Sequence, residues 1–130
     1  MTQLLLVAIG GALGACLRFW LSGIIARRVG ETFPWGTLVV NVSGALAIGL
    51  AAARFMTAQG VAEPWREVWL ALVVGVLGSY TTVSSFSLQT LALARAGEGG
   101  RAALNVLASL GLCLAAALAG HLAGARLFGA

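Results

Sequence analysis

The 130-residue chain contains no lysine and no aspartate; its ionic groups are eight arginines, four glutamates and one histidine. Charged residues make up only 9% of the chain, against about a quarter of an ordinary soluble domain. So little charge excludes a water-facing surface, and the 60% hydrophobic content makes lipid the solvent that fits. The two cysteines, Cys16 and Cys113, stand alone in apolar runs. That excludes a disulfide framework and a Cys/His metal site, and both read as small buried apolar residues. Catalysis lacks its signatures as well: there is no HExxH pair, no metal-ligand set and no serine with a nearby base. The net charge of +4 is not a nucleic-acid signal, because no basic face carries interleaved aromatics. The arginines mark membrane edges instead.

A helix needs about 20 apolar residues to cross the hydrocarbon core, and four stretches qualify. They run over about 4–26, 33–53, 68–94 and 102–125. The chain is therefore read as one four-span membrane domain, 1–130, of all-α class. Pro34 and Trp35 stand at the entry to the second span, where an aromatic belt would sit. The first span follows Met1, Thr2 and Gln3 without a basic n-region or a convincing cleavage site, so it is expected to be retained. Gly10 with Gly14, Gly120 with Gly124, and more loosely Ser109 with Cys113, are small-xxx-small pairs that let helices approach closely.

The third span is too long. Its 27 residues would make a helix of about 40 Å, for a core about 30 Å thick. Its middle reads Gly78-Ser79-Tyr80-Thr81-Thr82-Val83-Ser84-Ser85, a run of hydroxyl and β-branched residues that forms helix poorly. Non-helical backbone at that depth survives only when buried in protein or lining a polar cavity, and unwound carbonyls are how membrane proteins hold ions. The expectation is a third helix broken near its middle. A straight, tilted helix with hydroxyls bonded back to their own carbonyls is the alternative.

With four spans, both termini share a side with the 57–66 loop. That side carries Arg54, Arg66 and Arg126; the other carries Arg27, Arg28, Arg95 and Arg101. Three against four gives the positive-inside rule almost nothing to act on. Insertion in both orientations, and pairing with an inverted copy, is one reading. A single orientation set by Arg27 and Arg28 is the other.

Polar groups inside the spans are few. Arg18 lies well within the first, where an arginine costs about 2.5–3.5 kcal/mol on insertion scales; it faces either a water-filled vestibule or, by snorkelling, the nearer surface. Asn41 stands among valines and must find a partner for its amide. Asn105 and Ser109 lie at i and i+4 on one face of the fourth span. With Thr82, Ser85 and Ser87 they form a set of neutral donors that serves either an anion or helix–helix adhesion, the latter worth about 0.6 kcal/mol each. No carboxylate lies within a span, whereas proton-coupled transporters and cation pathways normally need one. His121, at the end of the fourth span, is read as interfacial or packed.

These residues resemble the CrcB/Fluc family of fluoride channels. The likeness rests on Gly10-Gly11-Ala12-Leu13-Gly14 leading to Arg18-Phe19 and on Gly36-Thr37-Leu38-Val39-Val40-Asn41-Val42-Ser43-Gly44. It extends through Gly75-Val76-Leu77-Gly78-Ser79-Tyr80-Thr81-Thr82-Val83-Ser84-Ser85-Phe86-Ser87 to Asn105. The resemblance implies an antiparallel, dual-topology homodimer in a bacterial-type cell (inner) membrane, with two narrow fluoride pores and passive fluoride export. It implies a structural Na⁺ at the dimer centre, held by the backbone carbonyls of Gly78 and Thr81. It also implies an anion pore lined by Asn41, Thr82, Ser85, Phe86, Asn105 and Ser109, with Arg18 at a vestibule and phenylalanine edges facing the anion. The chain departs from the family's usual pattern in having Val83 where Phe is common and Gln89 where Glu is common.

Two other classes compete with a channel. A small four-span multidrug exporter would need a membrane-embedded Glu. A structural or heterodimeric subunit would show no conductance alone.

Overall fold

The computed structural model describes residues 1–129. Helix α1 (Thr2–Val29) ends with Arg27 and Arg28 in its last turn, cations placed where the helix dipole favours them. The chain turns at Gly30, with φ 87°, a conformation that glycine adopts without strain. Helix α2 (Trp35–Phe55) then starts directly after Pro34. A small antiparallel hairpin follows, β1 (Met56–Thr57) on β2 (Gly60–Val61), which the all-α reading did not contain. The Thr57 hydroxyl donates to the Gly60 carbonyl across it at 3.1 Å.

The third span runs Arg66–Arg95 and is not uniform along its length. Helix α3 (Arg66–Trp69) passes into wider π-helical turns over Leu70–Leu77 and then into α4 (Gly78–Tyr80). Thr81 (φ −77°, ψ 157°) and Thr82 (φ −152°, ψ 127°) are extended. Helix α5 (Val83–Arg95) resumes after them, capped by the Thr82 hydroxyl, which accepts from the Ser85 N–H, the normal N-cap bond. A turn through Gly97 leads to α6 (Gly99–Phe128). Four helical stretches are long and apolar enough to cross a membrane. The first, third and fourth extend one to three residues past the apolar runs at each end, and the second is shifted by two residues, to Trp35–Phe55 against 33–53.

Glycine sets the packing. Helix α2 lies along α6 with Gly49 against the backbone of Ala117 and His121, Gly120 against Leu46, and Gly124 against Leu50 and Ala53. On the other side, Gly10 and Gly14 of α1 meet the backbone of Ala71, Gly75 and Val76 in the π-helical segment. A Cβ at Gly49, Gly120, Gly10 or Gly14 would collide with backbone, and one at Gly124 with the Ala53 methyl group, so the helices approach as closely as small residues permit. The buried core is correspondingly small, with Ala51, Val73 and Leu77 at its centre. Large apolar side chains such as Leu107, Leu118 and Phe19 face outward, as they must where the surroundings are lipid.

At one end of the bundle the Arg54 guanidinium lies 4.3 Å from the centre of the Trp65 ring, with Phe55 and Phe128 also within 6 Å. These cation–π contacts tie the ends of α2 and α6 to the loop before α3. The reading of both cysteines as buried is corrected: Cys16 is on the outward face of α1, and Cys113 is half-buried. Both runs are apolar because lipid or a groove, rather than protein, surrounds part of each helix. His121 likewise faces outward on α6.

Candidate functional site

An uninterrupted α-helix pairs each N–H with the carbonyl four residues back. At Thr81 the chain keeps that rule, since its N–H donates to Leu77 at 3.0 Å and its hydroxyl to the same carbonyl at 3.0 Å. At Thr82 it does not. The Thr82 N–H, which would have reached Gly78, donates instead to Asn41 Oδ1 at 2.8 Å. The Thr82 carbonyl accepts from Asn41 Nδ2 at 2.8 Å. The Ser79 carbonyl accepts from Arg18 Nε at 3.1 Å. Side chains of α1 and α2 thus supply hydrogen bonds that the helix gives up. The Gly78 and Thr81 carbonyls gain no such partner among the described residues.

Helix α2 is shaped to receive this segment. Gly44 faces it, and a Cβ there would run into the Thr81 methyl group and the Tyr80 ring. Ser43 and Tyr80 share a hydroxyl–hydroxyl bond of 2.8 Å. Thr82 Oγ1 lies 3.1 Å from Ser84 Oγ and 3.3 Å from Ser85 Oγ.

Two grooves flank the extended pair. One, of about 650 Å³, is bounded by α2, the extended residues, the start of α5 and α6. It brings together Asn41, Gly78, Thr81, Thr82, Phe86 and Ser109, six of the residues singled out in the sequence. Cys113, one turn beyond Ser109, also lines it. The spacing that paired Ser109 with Cys113 as a packing motif therefore marks a groove wall instead. The other groove, of about 720 Å³, opens toward the 30–36 connection and is lined by Ser22, Glu31, Ser85, Gln89, Glu98 and Arg101 among others, so two carboxylates stand at it. The Thr82–Ser85 hydroxyl pair stands between the two. Gln89 carries a buried Oε1 with no hydrogen-bond partner, a group that composition and periodicity could not single out.

The remaining predicted residues lie elsewhere. Asn105 is only 2% exposed and donates to Thr90 Oγ1 at 2.8 Å; Thr90 in turn donates to the Phe86 carbonyl at 2.7 Å. Asn105 faces α5 and lines neither groove, although Ser109 on the same helix does. Arg18 lines neither groove and touches the site through Ser79. Val83 is 75% exposed at the groove's edge. Among the described residues no three His, Cys, Asp or Glu side chains converge. The four glutamates lie in connections, at the Glu98 N-cap or in the first turn of the third span.

This arrangement defines a class: a multi-pass membrane protein with a largely apolar groove that carries a few neutral hydrogen-bonding groups beside the extended residues of its third span. The chain belongs to the CrcB-like family (CrcB-like protein, Camphor Resistance), whose profile matches residues 5–121. It is 58% identical over 120 residues to the fluoride-specific ion channel FluC 2 of Rhodopseudomonas palustris, covering 92% of this chain and 91% of that one. It is 52% identical over 123 residues to the fluoride-specific ion channel FluC of Rhodospirillum rubrum, covering 90% of each. Likeness to the fluoride-specific ion channel FluC of Opitutus terrae is 52% over 130 residues, with 98% and 96% covered.

Proposed function

We propose that this protein is a fluoride-selective channel, formed by two antiparallel copies, that lets fluoride leave the cell passively and so lowers its cytoplasmic level. The observation that carries the reading is the groove: a largely aliphatic wall that carries hydroxyls, one amide and a phenylalanine, with no carboxylate, beside two residues of unwound backbone. Thr82 and Ser109 offer O–H donors, and Phe86 offers the positive edge of its ring. Ser85, across the Thr82 hydroxyl, extends the route toward the second groove. A small, strongly hydrated anion needs such donors in place of water. The four glutamates at the ends of the spans leave no intramembrane acid to couple transport to protons. In this reading Arg18 contributes positive potential near the site, and Asn105 braces the pore wall by fixing α6 to α5.

The groove is open along one side of the protomer, so a second copy is needed to close it. The fluoride-specific names of relatives more than half identical over nearly their whole length support the same substrate. The Gly78 and Thr81 carbonyls fit a structural Na⁺. Both residues line the groove, neither carbonyl has a helical partner, and unwound carbonyls are a known way to hold this hard cation. Two carbonyls are few for a cation, and an antiparallel partner would bring the same two again. When bound there, Na⁺ would supply fixed positive charge and tie the copies together.

The exposed Val83, where a ring would otherwise stand, favours a second reading in which the chain conducts only with a divergent partner. One experiment separates the two. The purified protein is placed alone in fluoride-loaded liposomes, and efflux is followed with a fluoride electrode under a potential clamped by ionophore. Rapid efflux, with chloride-loaded vesicles silent, is the expected result. Folded protein that releases no fluoride would overturn the homodimeric channel.

A further inference from the structure

A side-chain amide is a peptide group on a short stalk, with a donor and an acceptor held in one plane. Asn41 uses both on a single residue: Oδ1 takes the Thr82 N–H and Nδ2 gives to the Thr82 carbonyl, each at 2.8 Å. This is the two-way exchange by which paired residues of neighbouring antiparallel strands hold each other, and Thr82 has strand dihedrals. An amide latched at both ends cannot turn to follow an ion without releasing the backbone. We propose that Asn41 is a positioning residue. It holds Thr82 extended and draws the Thr82 N–H away from Gly78, which leaves unpaired the carbonyls of Gly78 and Thr81, two residues that line the groove.

The surroundings fit that role. The Gly44 backbone, one turn along α2 on the same side, admits Thr81 where any Cβ would collide. Ser43 bonds to Tyr80, and Arg18 holds the Ser79 carbonyl from the α1 side. The segment 79–82 is thus held from two helices at each of its four residues, and Asn41 is the side chain that engages both backbone groups of one of them. A backbone pair left open in this environment would be expensive, so removing the amide should let the segment re-pair with itself or open. The latch rests on these hydrogen bonds. Its bearing on Na⁺ rests on the function proposed above.

The test compares wild type with Asn41→Ala, Asn41→Ser and Asn41→Asp in lipid nanodiscs, by hydrogen exchange of peptides covering residues 78–86. Alanine offers no partner and serine is too short to bridge both backbone groups, so both should exchange about tenfold faster there, the loss of roughly one hydrogen bond. Aspartate keeps the acceptor for the Thr82 N–H but loses the donor to the Thr82 carbonyl, so its exchange should fall between wild type and alanine. A second readout is the rise in melting temperature with added Na⁺, which reports binding without any flux. Asn41→Ala should need about tenfold more Na⁺ for the same rise, whereas Cys16→Ala, on the outward face of α1, should match wild type. Exchange over 78–86 that is unchanged in folded Asn41→Ala and Asn41→Ser overturns the latch. If Na⁺ fails to stabilise even wild type, the cation reading falls, and the exchange data still decide the role of Asn41.

Discussion

Asn41, Arg18 and Thr82 show how a polar residue earns its place inside a membrane span. Each contacts backbone rather than another polar side chain of opposite charge, and each bond falls where the third span leaves helical geometry. Val83 shows the converse. It stands beside the groove with 75% of its surface free, and its branched chain offers an anion nothing. A phenylalanine there would meet no protein atoms within the protomer that must move aside and would bring a second positive ring edge next to Phe86. Val83→Phe should therefore raise fluoride efflux by roughly two- to tenfold, the range set by ring-edge contacts of about 0.5–1.5 kcal/mol. The liposome assay reads this directly; an unchanged or lower rate would show that Val83 does not border the route.

The helices are held together by what they lack. Along α2 and α6, Gly49, Gly120 and Gly124 bring backbone onto backbone, and no large side chain fills the seam. Replacing Gly120 with valine drives a branched side chain into the Leu46 carbonyl, which is backbone and cannot swing away. The expected loss is about 1–3 kcal/mol, typical of overpacking, visible as a lower melting temperature in detergent. Asn105 secures the other end of α6 differently, bonding it to Thr90 of α5. The π-helical turns over Leu70–Leu77 lie where α1 crosses at Gly10 and Gly14, and such turns often accompany functional sites.

One protomer leaves most of its large side chains uncovered, with three of its four spans only 11% buried over their most apolar windows. Lipid accounts for much of that face, and in the proposed channel a second copy supplies the wall that closes the open groove. Arginine is almost evenly divided between the two ends, so the same gene product can supply both copies of an antiparallel pair. A cysteine placed in the hairpin by Ala58→Cys, with Cys16 and Cys113 replaced, should be labelled from each side of the membrane in roughly half of the copies. Labelling from one side alone would rule out dual insertion. Tagged and untagged copies expressed together should co-purify in mild detergent, and monomers alone would exclude the dimer.

Much of this was legible without coordinates. Four apolar runs bounded by arginine determine four spans, because a bilayer leaves no other place for them. The run from Gly78 to Ser85 has a composition that serves a helix poorly, and the quoted motifs place the chain in its family. Residue spacing, however, says only which side chains share a face, not what the face meets. Asn105 and Ser109 sit one turn apart, yet one is sealed against Thr90 of α5 and the other lines the groove. Likewise Arg18 and Asn41 look like free polar groups in the sequence. Their partners are backbone atoms of residues 61 and 41 positions away, and only the packing of α1 and α2 around the third span brings those atoms within hydrogen-bonding reach.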